Sequence, residues 1–177
     1  MKKKSTKKKS AETPQLRPIT AFDFSFTTPE GLALPLNAWQ GRPLLIVNTA
    51  SQCGFTPQYK ELQELWTRYR GRGLMVIGVT SNDFGKQEPL PDDQLRAYCT
   101  REFAVDFPIT GKTKVFGFNK HPFYKWAGRW AGFVGSPKWN FHKYLVAPEG
   151  FMYDWFLPTT SPLAPQIVQA VEGLLEV

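Results

Sequence analysis

Cysteine and histidine are scarce: Cys53, Cys99, His121 and His142 are the only four in 177 residues. Two cysteines are too few for a disulfide-stapled scaffold, and in a reducing compartment such a pair more often does redox or metal chemistry. A zinc site could draw on all four, but no two lie at the close spacing of zinc ligands, so no metal site is assigned. Long apolar runs are also missing. None approaches the roughly 18 residues needed to cross a bilayer, so no membrane span is expected. Residues 10–18 are polar and contain proline where a secretory signal would place its apolar core, which points to a cytoplasmic protein. Acids are absent from the first ten residues, which carry six lysines, so of the formal charge of +7 only +1 belongs to everything else. We read residues 1–18 as a solvated tail, with no nucleic-acid partner expected. Residues 19–177 fit one domain. With 42% hydrophobic and 15% aromatic residues overall, the chain has enough apolar surface to bury a core.

Within that domain, Phe22–Phe26 and Leu32–Leu36 alternate apolar and polar residues around Thr27-Thr28-Pro29-Glu30-Gly31, the pattern of a hairpin. Pro43–Val47 and Leu74–Val79 are continuous apolar runs, as in strands covered on both faces. Between them Tyr59, Leu62, Leu65, Trp66 and Tyr69 recur at helical spacing. Pro91-Asp92-Asp93 opens a second helix that places Leu95, Tyr98, Cys99 and Phe103 on one side. Tyr144–Val146 and Met152–Phe156 read as an antiparallel pair, and Ile167–Leu175 as a closing helix. The segment 116–135 is unusually aromatic and receives no assignment. The whole describes an α/β fold, a buried central sheet with helices around it and an N-terminal β-hairpin.

Cys53 lies just after the first buried strand and before a helix, at the carboxyl end of a strand, where open α/β sheets place their sites. A thiol is nucleophilic only as thiolate, and a helix N-terminus supplies N–H groups and a positive dipole end that favour the anion. The competing reading is a small buried apolar residue. A thioredoxin-type Cys-x-x-Cys is absent, because the fourth position is Thr56.

Three blocks then coincide. Asn48-Thr49-Ala50-Ser51-Gln52-Cys53-Gly54-Phe55-Thr56, Ser81-Asn82-Asp83-Phe84-Gly85-Lys86-Gln87-Glu88-Pro89 and Trp139-Asn140-Phe141-His142-Lys143-Tyr144-Leu145-Val146 occur in that order. Together they resemble the signature stretches of the glutathione peroxidase family. The resemblance implies a thioredoxin-like fold and a reactive group of Cys53, Gln87, Trp139 and Asn140. In it, neutral N–H donors hold the thiolate and the charge developing on the departing oxygen. The resemblance further implies a thiol peroxidase that would reduce hydrogen peroxide and organic hydroperoxides through a Cys53 sulfenic acid, with no cofactor expected beyond a thiol co-substrate, thioredoxin or glutathione. The surroundings of Cys99 resemble the place where thioredoxin-dependent members carry a resolving cysteine, so its helix would have to unwind to meet Cys53. A one-cysteine, glutathione-dependent cycle and a redox sensor that passes a disulfide to a partner remain open. The short connection before Trp139 resembles that of monomeric members. Two positions depart from the family pattern: Ser81 stands where cysteine is common, and Asp83 puts an acid near the site that would oppose a thiolate if it faced inward.

Overall fold

The computed structural model describes residues 17–176, so residues 1–16 of the lysine-rich tail lie outside the described residues. The hairpin is formed by β1 (Ser25–Thr27) and β2 (Ala33–Pro35), which pair antiparallel as a small sheet of their own, with Phe26 opposite Leu34. It is shorter than the alternation suggested. Ala21–Asp23 and Leu36–Trp39 curl instead into single 3-10 turns, the first closed by Asp23, whose carboxylate accepts the Thr20 N–H at 2.8 Å.

The central sheet has the order β4-β3-β5-β6. β3 (Leu44–Thr49) and β4 (Met75–Thr80) run parallel, joined by the crossover helix α1 (Gln58–Tyr69); β5 (Lys143–Val146) pairs antiparallel with β3, and β6 (Met152–Phe156) antiparallel with β5. Every residue of β3, β4 and β5 is buried, which explains why two of these strands are unbroken apolar runs. α1 packs down Tyr59, Leu62, Leu65, Trp66 and Tyr69, the five residues its spacing selects. α4 (Pro165–Leu175) buries Ile167, Val171 and Leu174. α2 (Asp92–Phe103) buries only Leu95 and Cys99.

The sequence reading missed α3 (Pro122–Ala131) inside the aromatic segment. Proline at its first turn and the His121 ring, which accepts the Phe123 N–H at 3.2 Å, start the helix. Its aromatic residues favour strands in isolation, and tertiary burial of Phe123, Tyr124 and Ala127 overrides that preference. No helix among the described residues is long and apolar enough to cross a membrane.

Candidate active site

β3 ends at Thr49, and α1 does not begin until Gln58, so Cys53 sits five residues ahead of the helix rather than on its first turn. The expected helix-terminus activation gives way to a loop device. Thr56 Oγ1 accepts the Cys53 N–H and donates to the Ala50 carbonyl, both at 2.9 Å, while the Thr56 N–H bonds the Cys53 carbonyl at 2.9 Å. This tight knot leaves the Phe55 N–H directed at the Cys53 Sγ at 3.4 Å, a donor that stabilises negative charge on sulfur. Cys53 is 8% exposed.

The Gln52 N–H donates to the Gln87 carbonyl at 2.9 Å and so ties the Cys53 loop to the loop that follows β4. Asn140 is buried, and its Nδ2 donates to Gln87 Oε1 at 2.9 Å. Gln87 spends its acceptor on that bond, and its Nε2 donates to no group among the described residues. Trp139 is 38% exposed and packs on Phe84 at 6.0 Å between ring centroids. Gly85 makes this closeness possible: at φ +64° it is in the left-handed region, and a Cβ there would lie 3.2 Å from Trp139 and 3.3 Å from Gln87. The structure therefore brings Gln87, Trp139 and Asn140 together, with Cys53 joined to them through its neighbour.

Two residues that the sequence reading did not single out hold the Trp139–Asn140 turn. Asn48 donates its Nδ2 to the Trp139 carbonyl at 3.0 Å, and its own carbonyl accepts the Phe141 N–H at 2.6 Å. Phe141 has φ +66°, a strained value for a non-glycine residue. Lys143 is completely buried, and its ammonium donates to the carbonyls of Phe141 at 2.7 Å, Leu157 at 3.4 Å and Pro158 at 3.5 Å. The Pro158 carbonyl also accepts from Gln58 Nε2 at 2.7 Å, so one oxygen links the start of α1 to the turn that carries Asn140. Burial pushes the Lys143 pKa down to about 7, against the pull of Glu61. The signals were present: Asn48 opens the first motif, and Lys143 is a lone charge in an apolar strand.

Glu88 lies buried beneath the Cys53 loop, where it accepts the Ser51 N–H at 2.9 Å and the Ser51 hydroxyl at 2.7 Å. Burial raises its pKa. Cys99 faces inward from α2 at 3% exposure, and burial pushes its thiol up to about 11 despite the Tyr59 hydroxyl beside it. Both cysteines are free thiols. α2 is tethered to the Cys53 loop by the Tyr98 hydroxyl, which donates to the Ser51 carbonyl at 3.0 Å. Asp83 turns away from the site: its carboxylate accepts from the N–H groups of Val115 and Phe116 at 2.7 and 3.1 Å and from the Lys114 ammonium at 3.0 Å. The acid feared near the sulfur is thus spent on a loop. Ser81 is buried and accepts the Asp83 N–H at 3.3 Å. His121 stacks on Phe26 and His142 on Trp155, and no three His, Cys, Asp or Glu side chains converge among the described residues.

The glutathione peroxidase family pattern matches residues 21–127, more than half of the chain and inclusive of Cys53 and Gln87. The chain belongs to the glutathione peroxidase family. It is 40% identical over 150 residues to the glutathione peroxidase-like peroxiredoxin HYR1 of Saccharomyces cerevisiae, covering 83% of this chain and 91% of that one. It is 42% identical over 164 residues to the hydroperoxy fatty acid reductase gpx1 of Synechocystis, covering 88% and 96%. Among solved structures it superposes on Trypanosoma cruzi GPX1 with a TM-score of 0.71 at 27% identity, over 89% of this chain and 97% of that one. A thiol:disulfide interchange protein of the thioredoxin family from Chlorobium tepidum, at TM-score 0.60 and 16% identity, shares the fold over 91% of this chain and 99% of its own. The mixed sheet with its flanking helices is therefore a thioredoxin-like fold. As a glutathione peroxidase family member the chain is an oxidoreductase, a thiol peroxidase that reduces hydroperoxides.

Proposed function

We propose that Cys53 is the peroxidatic residue and that Cys99 resolves its oxidised form, with thioredoxin as the reductant. The Cys53 thiolate attacks one oxygen of the hydroperoxide. The O–O bond breaks, the other oxygen leaves with a proton as alcohol or water, and Cys53 becomes a sulfenic acid. The free Gln87 Nε2–H and the Trp139 indole N–H are neutral donors suited to the charge developing on the departing oxygen, and Asn140, whose amide donates to Gln87 Oε1 and to the Phe84 carbonyl, holds Gln87 in that orientation. The Cys99 thiolate then attacks the Cys53 sulfur, a disulfide forms and water leaves. A dithiol reductant restores both thiols by two exchange steps. The observation that supports this most is the Gln87–Asn140 pair locked beside a loop whose N–H points at the Cys53 sulfur.

One observation favours a second reading. Cys99 is buried as a high-pKa thiol, so it cannot resolve anything until α2 opens, and in the meantime a small thiol such as glutathione could reach Cys53 first. Peroxide consumption measured with a thioredoxin system and with glutathione, for wild type, Cys53→Ser and Cys99→Ser, separates the two. Our reading expects thioredoxin-driven turnover that both substitutions abolish. Loss in Cys53→Ser alone, with turnover on glutathione, establishes the one-cysteine cycle. No turnover by the wild type leaves a sensor.

A further inference from the structure

Among the described residues, Tyr98 is the one member of α2 whose side chain bonds the Cys53 loop. The other side-chain bonds of this helix lead elsewhere: Arg96 to Glu30, Asp92 to the Lys112 N–H, Thr100 to the Val105 carbonyl and Arg101 to Glu102. Tyr98 stands one residue before Cys99, and its hydroxyl donates to the Ser51 carbonyl at 3.0 Å. Burial, with Glu102 nearby, raises the Tyr98 pKa above its ordinary 10, so the hydroxyl keeps its proton and remains a donor at neutral pH. Its ring packs edge-on against Phe103 at 6.0 Å between centroids, which fixes the ring independently of the hydroxyl bond.

The carbonyl that Tyr98 holds belongs to a particular peptide plane. The Ser51 C=O and the Gln52 N–H are parts of one planar unit, which cannot turn at one end without turning at the other. At that other end the Gln52 N–H donates to the Gln87 carbonyl at 2.9 Å. The plane that joins the Cys53 loop to the Gln87 loop is thus pinned on one edge by its catalytic partner loop and on the opposite edge by the helix that carries Cys99. Glu88, next to Gln87, accepts the Ser51 N–H and hydroxyl at 2.9 and 2.7 Å. Tyr98 therefore supplies the restraint on Ser51 that does not come from the 87–88 segment.

We infer that Tyr98 is a positioning residue that sets peroxide attack and resolution against each other. While α2 is closed, its hydroxyl holds the 51–52 plane and with it the register of Cys53 against Gln87. Cys99 is 3% exposed, with the Tyr59 hydroxyl beside it, and meets Cys53 only when α2 opens. Adjacent Cα atoms are about 3.8 Å apart, so the segment that carries Cys99 out carries Tyr98 with it and the bond to Ser51 breaks. A second hydroperoxide, which would oxidise the sulfenic acid to sulfinic acid and be reduced to alcohol or water, then meets a loosened site. The inference rests on the two-cysteine reading for the resolution half alone.

Tyr98→Phe keeps the ring and removes only the bond. Three rates are read in reduced full-length protein: loss of the Cys53 thiol after rapid mixing with hydrogen peroxide, appearance of the Cys53–Cys99 disulfide, and alkylation of Cys53 by iodoacetamide without peroxide. Attack is expected to slow and disulfide formation to quicken, each about two- to tenfold, the scale of one neutral hydrogen bond. Alkylation should be unchanged, because the Phe55 N–H and the Thr56 bonds around the sulfur are untouched. Attack and disulfide formation slowed together, alkylation slowed as much as attack, or no change in any rate overturns the proposal. Slowed attack with no disulfide in either protein removes the opposition between the two steps and counts against the two-cysteine reading. Unchanged attack with the disulfide formed at the wild-type rate leaves that reading standing and sinks only the role of Tyr98. Should Tyr98→Phe fail to fold, hydrogen exchange in the wild type decides. The Gln52 amide is expected to exchange at the rate of the α2 amides, and protection equal to that of β3 overturns the proposal.

Discussion

At the scale of single residues, the site depends on contacts that carry no chemistry themselves. Gly85 is the sharpest case, since any side chain there presses on both Trp139 and Gln87 and must hold a left-handed backbone. Gly85→Ala is expected to slow peroxide attack on Cys53 roughly 10- to 100-fold, the scale of a misplaced catalytic group, with little loss of folded protein. Rapid-mixing kinetics with circular dichroism as the folding control would check it. An unchanged rate would mean that Trp139 and Gln87 do not need their present spacing. Cys53, Gln87, Trp139 and Asn140 were legible from their motifs. The roles of Asn48 and Lys143 were not, although both stand inside the motifs, because their partners are backbone carbonyls, of Trp139 for Asn48 and of Phe141, Leu157 and Pro158 for Lys143, and neither spacing nor composition reveals such bonds. Asp83 shows the same limit: its position beside the site was readable, but its turn toward Lys114 and Val115 was not.

At the scale of elements, the strands and α1 follow directly from apolar runs and helical spacing. α2 is different. With only Leu95 and Cys99 buried, and with its side-chain tethers of Tyr98 to Ser51, Arg96 to Glu30 and Asp92 to the Lys112 N–H lying at or near the surface, it buries little against the core, the mark of a segment that opens locally. Its amides are therefore expected to exchange hydrogen faster than those of β3, β4 and α1. In the reduced protein, alkylation of Cys99 should proceed at the rate of that opening, because the buried thiol stays protonated at neutral pH. Exchange of α2 as slow as that of β3 would contradict the opening step on which resolution depends. α3 escaped the sequence reading because its Phe, Tyr and Trp residues fit a pleated surface as well as a helix, and only packing decides between them.

At the scale of the whole molecule, burial of ionisable groups shapes stability against pH. Lys143 has its folded pKa lowered to about 7, so between 7 and its ordinary value of 10.5 the unfolded chain binds more protons, and stability rises with pH. His142, lowered by burial to about 4, behaves likewise between 4 and 6.5. Glu88, raised by burial, opposes His142 above its ordinary value of 4.5. Cys99 removes stability only above its ordinary 9, on the way to 11. Between pH 7 and 9 Lys143 therefore acts almost alone among these groups. Denaturation midpoints should rise across that window in wild type and stay flat in Lys143→Met. A rise of the same size in the variant would assign the effect to another group. The net charge outside the tail, though legible in the sequence, concealed the separation of a basic 107–148 stretch from an acidic remainder, because a sum has no address.

The central claim is that peroxide oxidises Cys53 and that Cys99 captures the product. Treating the reduced full-length protein with one equivalent of hydrogen peroxide, then alkylating and digesting it for mass spectrometry, addresses both halves at once. The account predicts a monomer in which peptides containing Cys53 and Cys99 are joined by a disulfide, and a Cys99→Ser variant in which Cys53 accumulates as sulfenic or sulfinic acid. Recovery of Cys53 as an alkylatable thiol after the peroxide has been consumed would contradict it.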